Sequence, residues 1–157
     1  MDLQEFNQQV TEFTFIVRQF PGIDLIWDAK MLSLFLVQGI EWEFRVIFSF
    51  AFNCPVMYFR PRNRWMGLDE VLEYVVAALK GHVSQAECPA TGEPFFFVHP
   101  CRSKELLQDG NFATWISIAL QVVNARLPIE IFKVLSESKV KSFNYLNGLG
   151  TLLSGFL

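Results

Sequence analysis

The sequence predicts an α+β fold: an antiparallel β-meander with helices packed on it. Three observations lead there. Apolar residues at three- and four-residue spacing mark helices near both ends of the chain. Between them lie short segments rich in aromatic and β-branched residues, which suit strands. Short connections bearing Gly, Pro and Asn separate these segments, as in strands that pair with their sequence neighbours. The 157 residues, 52 % of them hydrophobic and 17 of them Phe, suffice for one well-packed domain over 1–157 and leave little room for a second.

Asp2 and Glu5 form the pattern of a capping box. Leu3, Phe6, Val10, Phe13 and Val17 then recur on one helical face, and Pro21-Gly22 stops the helix near Phe20. Strands are predicted at Leu25–Trp27, Met31–Val37, Trp42–Phe52 and Pro55–Arg60, with Gly39 and Asn53-Cys54-Pro55 as turns. "GLDEVLEYVVAALKG" predicts one helix, capped by Asp69, lined by Val71, Leu72, Val75 and Leu79, and ended by Gly81. Residues 82–94 are expected to be loop and Phe95–Val98 a short strand. A third helix is expected from Asn111, with Phe112, Trp115, Ile116, Ala119 and Val123 on one stripe and Pro128 as its limit. The stretch from Ile129 onward mixes Leu and Phe with Gly and Asn and gives no clear assignment.

A net charge of −3 argues against nucleic acid as a partner. The first ten residues carry neither a basic n-region nor an apolar h-region, and no apolar run approaches a membrane span. Three cysteines, at 54, 88 and 101, fit a reducing compartment, and the expected location is the cytoplasm.

The segment "EPFFFVHPCRSK" carries the chemistry. In strand geometry His99 and Cys101 share a face. Pro100 has no N–H, so regular pairing should fail beside Cys101 and bring the thiol toward the surface. Arg102 and Lys104 follow, and positive charge favours the thiolate. A buried, inert cysteine is the commoner fate of a free thiol, and Cys54 and Cys88, each before a proline, are assigned it. His82, Cys88, His99 and Cys101 are all zinc-ligand types, but they lack closely spaced pairs, so no metal and no cofactor is expected. His82 with Cys101 as a protease pair lacks any family signature. Arg60, Arg62 and Arg64 form a basic stretch, a solvated loop by default and otherwise a surface for an acidic partner. The four tryptophans suit core or rim packing, and Lys139 and Lys141 among apolar residues raise a weaker case for contact with a membrane surface.

"CPVMYFR" (54–60), "GEPFFFVHPC" (92–101) and "TWISIALQVVNARLP" (114–128) resemble, in that order, the autophagy-related ten family of ubiquitin-like-conjugating (E2-like) enzymes. The sister family, autophagy-related three, shares His-Pro-Cys, but the flanking strings and the absence of long insertions favour the former. The resemblance runs from residue 1 to about 128 and does not cover 129–157. It implies a ubiquitin-conjugating-like fold with Cys101 as thioester nucleophile. The implied partners are the modifier autophagy-related twelve, the activating enzyme autophagy-related seven and the substrate autophagy-related five. The Asn that ordinary ubiquitin-conjugating enzymes carry after His-Pro is replaced by Cys101 itself, so an oxyanion donor must come from elsewhere. Tyr58 is the candidate, on a strand expected beside Phe95–Val98, although a core tyrosine is the plainer account. His99 is assigned an orienting role, against the more frequent fate of a structural hydrogen bond. The rival function is a non-catalytic interaction module on the same fold.

Overall fold

The computed structural model describes residues 1–100, 103, 107 and 111–138. By its contacts the chain divides into Met1–Leu127 and Pro128–Leu157. In the second unit residues 129–138 are helical.

In the first unit, helix α1 spans Leu3–Val17. The Asp2 carboxylate accepts from the Glu5 N–H at 2.8 Å, and the Asp2 N–H donates to Glu5 Oε2 at 3.0 Å. The expected capping box is therefore formed, and two otherwise unpaired donors are satisfied. Strands β1 (Asp24–Trp27), β2 (Met31–Gln38), β3 (Ile40–Ser49) and β4 (Cys54–Pro61) make an antiparallel meander. Gly39 turns β2 into β3 at φ +72°, a conformation that costs other residues more. β3 stops at Ser49 rather than running to Phe52. The Ser49–Cys54 pair closes the ladder, Ser49 Oγ accepts from the Phe52 N–H at 3.4 Å, and Asn53 sits at φ +53°.

Helix α2 covers Leu68–Tyr74 only, half of what periodicity predicts, with Gly67 and not Asp69 at its N-cap. Asp69 and Glu70 lie in the first turn, where the helix dipole favours acids. Val75 turns extended, and the Val76 N–H donates to the Val122 carbonyl at 2.9 Å instead of continuing the helix. Two successive β-branched residues have weak helix preference, and a tertiary hydrogen bond decides between the options. A 3-10 turn, Ala77–His82, follows.

Residues 83–87, expected as loop, form strand β5 (Val83–Glu87), which pairs with β6 (Pro94–Val98). Only Val83 of β5 is buried, so the hydrophobic alternation that marks a strand is missing there. The sheet order is β1-β2-β3-β4-β6-β5. The final hairpin thus turns back so that β6, not β5, joins the meander. Helix α3 covers Phe112–Ala119, capped as expected by Asn111, whose Oδ1 accepts from the Ala113 and Thr114 N–H groups. It tightens to 3-10 geometry at Leu120–Val123 and ends on left-handed Asn124, short of Pro128.

The main core lies between one face of the sheet and helices α1 and α3. Phe6 packs against Trp27, Phe48 and Phe112, and Phe112 also meets Phe13 and Trp115. Burying each such ring stabilises the fold by about 1.5–3 kcal/mol. Gln9 Oε1 accepts from the Phe112 N–H at 2.7 Å, so α1 also satisfies a free donor at the start of α3. Among the described residues, no helix is long and apolar enough to cross a membrane.

Candidate functional site

The site is built on β6 because two strands hold it. On one side Tyr58 pairs with Phe97 and Phe59 with Phe96 across β4 and β6. On the other, β5 pairs with β6 from Glu87–Pro94 to Val83–Val98. One further bond extends this ladder, from the His99 N–H to the His82 carbonyl at 2.8 Å. Pro100 comes next, without an N–H, and is buried. His99 therefore makes the last rung before regular pairing ends, as the sequence predicts.

Cys101, the expected nucleophile, lies outside the described residues, as do Arg102 and Lys104. The described residues on either side are tied to different elements. Upstream, the exposed His99 ring meets Phe52 of the β3–β4 turn, centroids 5.9 Å apart at 69°. Downstream, Ser103 Oγ accepts from Trp115 Nε1 of α3 at 3.3 Å, and the buried Leu107 donates its N–H to the Ser103 carbonyl at 3.0 Å. Sequence reasoning missed both Phe52 and Ser103. The pattern around Trp115 singles out the α3 string, but nothing in it names a partner for the indole N–H.

Tyr58 stands on β4 beside β6, as expected. Its ring meets Phe95 edge-on and lies tilted against Phe97, within a buried cluster of Val56, Tyr58, Cys88 and Phe95. Burial, and secondly the neighbouring Cys88 thiol, push its phenol above the ordinary 10.0. The hydroxyl is therefore protonated at neutral pH and able to donate.

Cys54 and Cys88 are buried and in no disulfide, in keeping with the structural roles assigned to them. Cys88 also closes the β5–β6 hairpin. Its carbonyl accepts from Thr91 and Gly92, and its N–H donates to the Glu93 carbonyl.

The basic stretch is not a solvated loop throughout. Arg60, on β4, donates from Nε to Glu43 Oε2 at 3.0 Å and reaches Glu93 at 3.2 Å and the Pro94 carbonyl at 3.4 Å. Its guanidinium also lies 4.0 Å from the centroid of the Phe95 ring. Arg62 pairs with Glu41 at 2.6 Å and lies over Phe35. These charges are engaged on the sheet, and Arg60 fastens the start of β6 to the sheet centre. Glu43, only 4 % exposed, is bracketed by Arg60 and by Arg45, which also donates to Ser33. Burial pushes the Glu43 carboxyl up, but hydrogen bonds from the two arginines, with their charges, hold it below its ordinary 4.5.

The tryptophans pack as expected. Trp42 is fully buried against Phe59 and Tyr74, Trp115 belongs to the main core, and Trp65 stacks on Phe96 at the surface. Trp27 packs on Phe6 and donates to Thr11 Oγ1 at 3.1 Å. Lys139 and Lys141 lie outside the described residues.

Comparison with known proteins agrees with this arrangement. Residues 5–146 match the family model described as autophagocytosis-associated protein, active-site domain. A human protein named ubiquitin-like-conjugating enzyme ATG10 is 30 % identical over 125 residues, covering 64 % of this chain and 56 % of that protein. The Arabidopsis thaliana protein of the same name is 24 % identical over 116 residues, covering 57 % and 52 %. The chain thus spans just over half the length of these curated relatives. The solution structure of KmAtg10 superposes with a TM-score of 0.58 at 12 % identity, covering 78 % of this chain and 95 % of that one. At that identity the likeness establishes the fold, which is the ubiquitin-conjugating-like α+β fold expected from the sequence.

Proposed function

The chain belongs to the autophagocytosis-associated protein family, matching its active-site domain, and from that membership we propose that it is an E2-like conjugating enzyme whose nucleophile is Cys101. The modifier carried is the ubiquitin-like protein autophagy-related twelve, received from the activating enzyme autophagy-related seven. The acceptor is a lysine of autophagy-related five. One observation carries the reading. The family's active-site domain spans position 101, two residues after β6 makes its last rung at His99 and two before Ser103 is tied to α3. The relatives, both named ubiquitin-like-conjugating enzymes, support the same activity. Cys54 and Cys88, buried and in no disulfide, suit a reducing compartment, and the protein acts in the cytoplasm.

The chemistry is two acyl transfers. The Cys101 thiolate attacks the carbonyl carbon of the thioester on the activating enzyme. A new C–S bond forms, the old one breaks, and the activating enzyme's thiolate leaves. A lysine amine that has lost its proton then attacks the same carbonyl. A C–N bond forms, the C–S bond breaks, the nitrogen gives its second proton to solvent, and the Cys101 thiolate leaves. Each step passes through an oxyanion that needs a donor. Tyr58 fills that role. Its support is the β4–β6 pairing, which sets Tyr58 opposite Phe97 two residues before His99, and the burial that keeps the phenol protonated. His99 orients the chain at the nucleophile.

The test is a non-reducing gel of protein, activating enzyme, modifier and ATP. The expected result is an adduct that thiol reductant removes. Cys101→Ser should replace it with a longer-lived oxyester, because oxygen is the poorer leaving group. No adduct, or one that Cys54→Ser or Cys88→Ser abolishes while Cys101→Ser leaves it unchanged, would overturn the assignment.

A further inference from the structure

The loop that leaves β4 makes a cleft at the opposite end of that strand from the β3–β4 turn. The Arg62 N–H donates to the Glu41 carbonyl at 2.9 Å, one step beyond the Trp42–Pro61 pair, and draws the loop against the start of β3. Ile40, Glu41, Pro61, Asn63 and Arg64 line a cleft of about 130 Å³ there. Sites for whole cofactors run to about 300–1,000 Å³, so this one suits a single side chain. β4, eight residues at a rise of about 3.3 Å, sets the cleft roughly 23 Å from the β3–β4 turn.

Of the three arginines on this stretch, two are already matched. Arg60 pairs with Glu43 and Glu93, and Arg62 with Glu41 and Asp24. Arg64 is exposed and has no acidic partner among the described residues. The carboxylate in the cleft wall is matched as well, since Glu41 Oε1 accepts from Arg62 at 2.6 Å and Oε2 from Asn63 Nδ2 at 2.9 Å. One uncompensated positive charge therefore stands beside the apolar walls Ile40 and Pro61. Exposed apolar side chains extend the surface on either side. Val37, 76 % exposed, stands opposite Glu41 in the β2–β3 register. Trp65, 57 % exposed, follows Arg64, and its indole is stacked on buried Phe96 at 28°, which sets the ring before anything binds. Arg and Trp are the side chains that most often anchor protein interfaces.

We propose that this cleft docks an acidic segment of a partner protein. A glutamate of that segment lays its methylene stem on Ile40 and Pro61 and sets its carboxylate on the Arg64 guanidinium, and apolar neighbours rest on Val37 and Trp65. Charge complementarity selects the occupant, because a planar carboxylate matches one guanidinium, whereas phosphate recognition gathers several free arginines. The site stands apart from the acyl-transfer chemistry and is independent of the reading of Cys101.

The experiment is an NMR titration of the isotope-labelled full chain with acetyl-Leu-Glu-Leu-amide and, in parallel, with acetyl-Leu-Gln-Leu-amide. The glutamate peptide should shift the Arg64 Nε–H and Trp65 Nε1–H signals with a Kd in the millimolar range, in keeping with one seated side chain. The glutamine peptide should bind about fivefold more weakly, and Arg64→Gln should weaken the glutamate peptide by about the same factor. Raising NaCl from about 0.05 to about 0.5 M should weaken the glutamate peptide and leave the glutamine peptide unchanged. Arg18→Ala, which removes an exposed arginine from the end of α1, is the control and should leave the Kd at the wild-type value. Arg64 and Arg18 are both exposed, so neither variant disturbs the core. Equal affinity for the two peptides, equal weakening by Arg18→Ala and Arg64→Gln, or no shift at Arg64 and Trp65 with about 10 mM peptide would each overturn the proposal.

Discussion

Glu43→Gln is the sharpest probe of what holds β6 in place. The substitution preserves shape and removes the charge that Arg45 and Arg60 share. Three hydrogen bonds are at stake: Arg45 Nε at 2.8 Å and its second contact at 2.5 Å on Oε1, and Arg60 Nε at 3.0 Å on Oε2. An amide offers one acceptor oxygen, so its NH2 must face Arg45 or Arg60 and the bonds on that side are lost, each charged bond contributing about 1.5–3 kcal/mol. The arginine side chains, about one fifth exposed, are left facing each other. Breaking a fully buried pair costs about 3–5 kcal/mol, and solvent access lowers that figure. The expected loss is therefore about 2–4 kcal/mol, on the order of 10 °C in Tm for a chain of this size. Urea denaturation followed by tryptophan fluorescence measures it. The pH dependence supplies an independent arm. The folded-state pKa of Glu43 lies below its unfolded value, so its contribution is present above about pH 4.5 and is lost as pH falls through the lower folded value. The wild-type chain should lose stability over that acidic window, and Glu43→Gln should show a flatter acid limb. A change under about 0.5 kcal/mol at pH 7, with parallel acid limbs, would refute the account of Glu43 as a buried clamp.

Two further outcomes are expected. Asp2→Ala removes the acceptor half of the capping box and should cost about 1 kcal/mol in urea denaturation, with fraying confined to the first turn of α1 by amide exchange. Tyr58→Phe should slow transfer to lysine more than it slows charging of the thiol, as single-turnover rates will show. The folded-state pKa of Tyr58 is raised, so its contribution is present below pH 10 and is lost as pH rises through the folded value. The variant should therefore be less destabilised by alkali than the parent.

The elements that were legible in the sequence are those whose signals are local. The Asp2–Glu5 cap, the turn at Gly39 and the Asn111 cap each depend on a few neighbouring residues, and each lies where expected, while α1 ends at Val17, ahead of the stop predicted near Phe20. The failures share another cause. Strand β5 is an edge strand with one buried residue, and its existence depends on β6 pairing rather than on its own pattern. α2 stops early because Val76 finds the Val122 carbonyl, a partner remote in sequence. The same holds at the site. The termination of pairing before Pro100 and the position of Tyr58 beside β6 follow from alternation and strand order. The contacts of His99 with Phe52 and of Ser103 with Trp115 join residues that no spacing rule relates. Arg62 and Arg64 lie on an exposed bend, whereas Arg60 departs from a solvated loop for a similar reason, since its acidic partners Glu43 and Glu93 come from β3 and the last hairpin.

The sheet order β1-β2-β3-β4-β6-β5 bears on the order of assembly. The meander and the β5–β6 hairpin each close short loops, which cost little entropy and form fast. Joining β6 to β4 closes a much longer loop around α2, and it comes later. Until that seam is made, Tyr58 has no Phe97 beside it and Phe52 no His99. A nascent or partly unfolded chain therefore lacks the surroundings of both Tyr58 and His99, which arise together when the sheet is completed.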